Sequence, residues 1–162
     1  MRLPNPVREM RTIGRLLRGS EAHARRMRDA LAGAEHLLLS ALDLPDGTAR
    51  AAFTAVGADP DAYEAAVAAV HSDALRAVGI AVGPAPAPPP GPAEPVPEGP
   101  MRAAPSQQAA FQQAVRLAKR ESPSRLRGAH VVLAVAGAEH GTAVRALAAM
   151  GVDRAALAAA AR

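Results

Sequence analysis

The stretch GAEHLLLSALDLPDGTARAAFTAVGAD (Gly33–Asp59) finds a counterpart in RGAHVVLAVAGAEHGTAVRALAAMGVD (Arg127–Asp153) when the chain is slid 94 residues along itself. In that register His36 faces His130, Leu39 faces Leu133 and Gly47-Thr48-Ala49 faces Gly141-Thr142-Ala143. Further on, Ala52 faces Ala146, Phe53 faces Leu147, Gly57 faces Gly151 and Asp59 faces Asp153, without a gap. Turn glycines, helix caps and apolar positions coincide together, which marks one structural unit used twice. The tetrapeptide GAEH also occurs twice, at Gly33–His36 and Gly137–His140. Aligning those copies needs a shift of 104 and sets Leu37-Leu38-Leu39 against Gly141-Thr142-Ala143, an apolar helix against a turn. The second GAEH is a coincidence in a loop.

Outward from the repeat, every segment reads as helix. Asp59-Pro60 is a helix start, with Asp as N-cap and Pro at the first helical position. Tyr63, Val67, Val70, Ala74 and Val78 follow at helical spacing until Gly79 ends the run. Glu35–Leu42 and Thr48–Val56 are two shorter helices, and a first helix spans about Val7 to Leu31, weakened by Gly14 and Gly19. Beyond residue 100, Ser106–Arg120 places Ala110, Phe111, Ala114, Val115 and Ala118 on one stripe, and three helical segments follow. Between the two sets lies GPAPAPPPGPAEPVPEGP (residues 83–100), whose prolines remove amide donors and fix φ, so an extended tether is expected there. The expected organisation is a first repeat over residues 1–82, a linker over 83–100 and a second repeat over 101–162. Together they form one all-α, pseudo-symmetric domain of two four-helix repeats.

Composition narrows the function. Hydrophobic residues make up 49% of the chain, much of it alanine, while the aromatics are Phe53, Phe111 and Tyr63 alone. Such a chain packs helices through small side chains and has little with which to build a β-sandwich or a roomy apolar pocket. With no cysteine there is no disulfide framework, thiol nucleophile or thiolate metal site. No apolar run reaches the roughly 20 residues of a membrane span and no signal-peptide core precedes the first helix, so a cytoplasmic location is expected. Charge is unevenly spread. Residues 1–32 carry a net of +5, residues 33–101 a net of −7, and residues 102–127 again +5. The basic segments fall on the two equivalent first helices. Without stacking aromatics or a recognition helix they read as solvated faces or as surfaces for an acidic protein, rather than as a nucleic-acid site.

The motif GAEHLLLSAL with its following G-T-A, F and VGAD resembles the GTEHLLLGLL pattern of the Clp N-terminal domain (Clp R domain) family. These are the double-repeat, all-helical N-domains of AAA+ unfoldases such as ClpA, ClpB and ClpC. ARRMRDALAGAEH (Ala24–His36) also matches the family's end of helix one and the loop after it. The sequence departs from the pattern in its proline-rich insert, in RGAH (Arg127–His130) where G-T-E-H stands in the family, and in a short last helix. The resemblance implies protein recognition: binding of substrates, adaptors or ligands of the Clp system, with no cofactor. No G-x-x-x-x-G-K-[ST] loop occurs, so an N-domain without its ATPase module is expected. A decoy that sequesters Clp-targeting cyclic-peptide antibiotics is the alternative within binding proteins, and a nucleic-acid-associated helical protein is the alternative from another class.

In the ClpC branch the glutamate equivalent to Glu35 accepts the guanidinium of phosphoarginine, a task a carboxylate performs through a bidentate pair. By that resemblance the candidate ligand-binding residues are Glu35, His36 and Met10. Met10 and Ala104 stand where the family's phosphate-binding threonines lie, and Ala129 stands in the second copy of Glu35. The plainer reading of Glu35 is a helix-start acid on the macrodipole. The five histidines show no H-E-x-x-H or H-x₃-H spacing, so no metal site is expected, and His36 and His130 read as helix-start residues bonded to the preceding loop. No nucleophile elbow is visible and no catalytic residue is assigned. The purified chain is accordingly expected neither to bind nor to hydrolyse ATP. Turnover that persists through purification of a phosphate-loop-free chain would reveal a site these motifs do not contain.

Overall fold

A computed structural model describes residues 6–81, 83 and 101–162 of the chain; Gly83 apart, the expected tether over residues 83–100 lies outside them. The described residues fold into α1 (Pro6–Arg26), α2 (Ala34–Leu42), α3 (Thr48–Ala55) and α4 (Tyr63–Ala77), the last entered through a 3-10 turn at Pro60–Ala62. After residue 100 come α5 (Pro105–Ala118), α6 (Gly128–Ala136), α7 (Thr142–Ala149) and α8 (Arg154–Ala160). Shifted by 94, α2 overlays α6 and α3 overlays α7 end to end. No strand is present among the described residues, and no helix among them is long and apolar enough to cross a membrane.

The same caps produce the same helices in both halves. Asp59 accepts from the Asp61 amide at the 3-10 turn, and Asp153 accepts from the Ala155 and Ala156 amides at α8. Gly57 and Gly151 close α3 and α7 at φ of 72° and 71°, a left-handed conformation that glycine adopts without a Cβ penalty.

Packing interlocks the halves. α1 lies on α2 and α5 on α6, while α2 and α6 meet in the middle. The fourth helices cross over: α4 packs on α7 and α8 on α3. Register pairs are buried together, Leu37 with Val131, Leu38 with Val132, Phe53 with Leu147 and Tyr63 with Leu157, all fully shielded. Each such side chain contributes roughly 1.5–3 kcal/mol by leaving water. Ala32 and Ala103 add a parallel bridge, Ala104 N donating to Ala32 O at 2.8 Å. A buried bond from Gln107 Nε2 on α5 to Ser20 Oγ on α1 joins the two first helices.

Two details depart from expectation. Helix one stops at Arg26 instead of reaching Leu31, because Arg28 takes φ 61° and the Arg28 and Asp29 amides turn back to Arg25 O and Ala24 O. On α4, Tyr63, Val67 and Val70 are buried as the stripe requires, but Ala74 and Val78 are exposed. Gly19, read from sequence as a weakness in helix one, has a packing reason: a Cβ there would lie 2.2 Å from Ser40 Oγ of α2.

Gly128 opens α6 at a similarly close approach, where an added Cβ would meet Ala41 O and Ala49 Cβ at 3.0 Å each. Replacing it with valine forces the halves apart, and a loss of about 1–3 kcal/mol in chemical denaturation is expected. Tyr63 behaves in the opposite sense. Its ring meets Phe53 edge-on at 6.0 Å, but its hydroxyl is sealed in the core with no hydrogen-bond partner among the described residues. Tyr63→Phe removes that unsatisfied group and is expected to raise stability by on the order of 1 kcal/mol, read as a higher denaturation midpoint at unchanged slope.

Candidate functional site

The site begins with the way α2 and α6 start. Gly33 N donates to His36 Nδ1 at 2.9 Å, and Arg127 N donates to His130 Nδ1 at 3.0 Å. Each imidazole caps its own helix and carries its proton on Nε2, which reaches an acid of the preceding loop: Asp29 at 2.9 Å from His36, Glu121 at 3.0 Å from His130. Burial pushes the His36 pKa below its ordinary value of 6.5, against the raising influence of Glu35 and Asp29. Both His36 nitrogens are engaged and the side chain is fully shielded. The side chain expected at the ligand is turned into the protein. It holds the backbone that presents Glu35.

Glu35 lies one residue earlier, in the first turn of α2, with its side chain 12% exposed. Its carboxylate folds back over Gly33, where an added Cβ would sit 2.4 Å from Oε1. His36 Nδ1 is 3.6 Å from Oε1, but that nitrogen is the acceptor for Gly33 and offers no proton. Among the described residues no hydrogen-bond donor holds the Glu35 carboxylate.

The carboxylate borders a cavity of about 710 Å³ between the two halves. Its floor is small and apolar, with Ala109 and Ala110 of α5, Leu133 and Ala134 of α6, and Ala143 and Val144 of α7. Its rim is polar: Ser106, whose hydroxyl accepts from Ala34 N at 3.3 Å, together with Thr142, His140, Glu139 and Arg116. The Arg116 guanidinium donates to Gln113 Oε1 at 2.7 and 3.0 Å, which aligns it without neutralising it.

Pseudo-symmetry generates a second cleft, of about 530 Å³, formed by α1, the α2–α3 loop and the approach to α6. Thr12 and Thr48 stand there where Ser106 and Thr142 stand in the first. The first-turn amides of α6 are already occupied, Gly128 N by Asp46 Oδ2 at 3.1 Å and Ala129 N by Thr48 Oγ1 at 2.9 Å. Ala129 supplies no carboxylate, and arginines line the walls.

Of the residues expected from sequence, the structure places Glu35 at the larger cavity, His36 beneath it, and Met10 at neither. Met10 is 73% exposed on α1 and lines neither cleft, because α5 rather than α1 brings its N-terminus to the start of α2. The hydroxyl beside Glu35 is Ser106, which sequence reasoning passed over. The 94-residue register carried a signal for it, since Ser106 falls opposite Thr12. Among the described residues no group of three or more histidine or carboxylate side chains is placed to hold a metal ion.

Comparison with known proteins agrees with the all-helical, twice-repeated fold. The family model of the Clp repeat (R) N-terminal domain matches residues 11–93. Among solved structures, the N-terminal domain of the caseinolytic protease associated chaperone ClpD from Arabidopsis thaliana is similar in fold, with a TM-score of 0.61 at 20% identity over 93% of this chain and 89% of that one. No curated protein matches.

The buried His36 makes stability pH-dependent in a stated direction. Its pKa is depressed in the folded state, so the unfolded chain takes up the proton first as pH falls. Its contribution is complete above the unfolded value of about 6.5 and is lost below it. Glu64, held low by its bond to Arg26, and Glu121, held low by His130, act in the same sense but below the ordinary glutamate value of 4.5. The melting temperature is expected to begin to fall as the pH drops below about 6.5, before the glutamates titrate. His36→Gln should lower stability at neutral pH and flatten that first step; an unchanged step would move its origin away from His36.

Proposed function

Since the chain belongs to the Clp repeat (R) N-terminal domain family, we propose that it is a protein-recognition module of a Clp unfoldase system, engaging substrates, adaptors or ligands of that system without chemistry of its own. The observation that carries this reading is the Glu35 carboxylate, which borders the larger cavity and has no hydrogen-bond donor among the described residues. A carboxylate that borders a cleft and has no donor of its own can accept a charge-assisted pair from a ligand that supplies a cation.

The cavity favours a peptide segment with a basic side chain flanked by small apolar residues. Guanidinium suits Glu35 best because its planar fork gives two parallel charge-assisted bonds. Ser106 and Arg116 on the rim offer a hydroxyl and a positive charge to any anionic group the same side chain bears, which matches phosphoarginine. The apolar floor accepts the alkyl stem.

Calorimetric titration with phosphoarginine and with an arginine-bearing peptide tests the assignment. Wild type is expected to bind one equivalent, and Glu35→Ala to lose roughly 1.5–3 kcal/mol of affinity through the missing charge-assisted pair. If wild type binds neither ligand, or Glu35→Ala binds both equally well, Glu35 is a helix-start acid and nothing more.

A further inference from the structure

We propose that the second cleft is a separate recognition site, selective for acidic peptide segments. Five arginines line it: Arg8, Arg11 and Arg15 from α1, Arg125 and Arg127 from the approach to α6. Of these, Arg127 is paired with Glu121 at 2.5 Å. Among the described residues the other four have no carboxylate partner. The one acid in the cleft wall, Asp46, does not neutralise them. Its Oδ1 accepts from the Thr48 amide and hydroxyl at 2.9 and 2.7 Å, and its Oδ2 accepts from Gly128 N at 3.1 Å.

Four arginines without a carboxylate partner line one cavity of about 530 Å³ and concentrate positive charge there, a field that draws anions. Their spacing says what kind. Arg8, Arg11 and Arg15 follow at intervals of three and four residues, so they share one face of α1 and spread over roughly 10 Å of its axis. A single phosphate or carboxylate cannot touch all of them. An extended peptide, advancing about 3.3 Å per residue, sets several carboxylates along that length. Leu44, Pro45 and Leu126 give such a segment an apolar floor.

The same charges do not make a nucleic-acid surface. The cleft is concave, and its lining contains no aromatic ring on which a base could stack. Phe53 and Tyr63 are fully buried in the core. The site shares no lining residue with the Glu35 cavity, so either assignment can fail while the other stands.

Fluorescence anisotropy with a labelled oligoglutamate peptide provides the test. Wild type is expected to bind it, more weakly as salt rises, and Arg11→Gln with Arg15→Gln to bind at least about tenfold more weakly. Arg11→Lys with Arg15→Lys keeps the charge and is expected to retain most of the affinity, which separates lost recognition from lost folding. Glu35→Ala is expected to bind like wild type. Equal binding by the glutamine double variant would overturn the proposal. So would failure of the lysine double variant to bind better than the glutamine one. A single-stranded DNA oligonucleotide of equal charge that displaces the peptide would make the cleft a nucleic-acid site. If inorganic phosphate binds and the peptide does not, the cleft is an anion site without peptide selectivity.

Discussion

The distance between the two halves is set where α6 begins. Gly128 lies against Ala41 and Ala49, and any side chain there would strike both a carbonyl and a methyl group. Close contact at this point brings the α6 amides within reach of Asp46 and Thr48, so the α2–α3 loop of one half caps a helix of the other. It also allows the fourth helices to cross, α4 onto α7 and α8 onto α3. A chain rich in alanine and poor in aromatics suits this geometry, since small side chains let helix axes approach and offset part of the volume that larger residues would otherwise fill.

Much of this architecture was legible from one register. The 94-residue shift placed α2 on α6 and α3 on α7 to the residue, because their ends are fixed by local chemistry: a capping imidazole, an aspartate, a glycine in the left-handed region. Where local chemistry is silent, sequence reading fell short. The end of α1 rests on Arg28 at positive φ, a conformation that arginine's side chain does not advertise. Exchange of the fourth helices is a tertiary event, and neither α4 nor α8 carries a local mark of which partner it covers. The exposed end of α4 follows from the same cause, since periodicity names a face but not how far the neighbouring helix extends.

The candidate site was legible in part. Glu35 could be singled out from the motif that precedes the leucine run, yet its companions could not, because they come from α5, α6 and α7. Met10 was joined to Glu35 through the family resemblance, whereas in three dimensions the first helix of the opposite half comes to α2, with Ser106 at its tip. His36 illustrates a different ambiguity. The same imidazole that suits a ligand also suits a helix start, and its burial and the bonds at both nitrogens are tertiary facts that the motif does not display. The arginine segments of the sequence likewise gained meaning when two of them, far apart in the chain, turned out to share one cleft.

The crossed fourth helices carry a consequence for how such a domain arises. Suppose a gene encoded one four-helix unit with the core seen here. Its α3 would be left uncovered until a second copy brought over its own fourth helix, and the reverse contact would follow by symmetry. That arrangement is a two-fold homodimer with an isologous, element-exchanging interface, in which each protomer completes the other. Fusing two such genes head to tail freezes the dimer as a monomer and requires of the joining segment only that it span the gap. From that moment the two copies of every surface position mutate independently, so a pair of identical clefts is released to become an acidic one and a basic one.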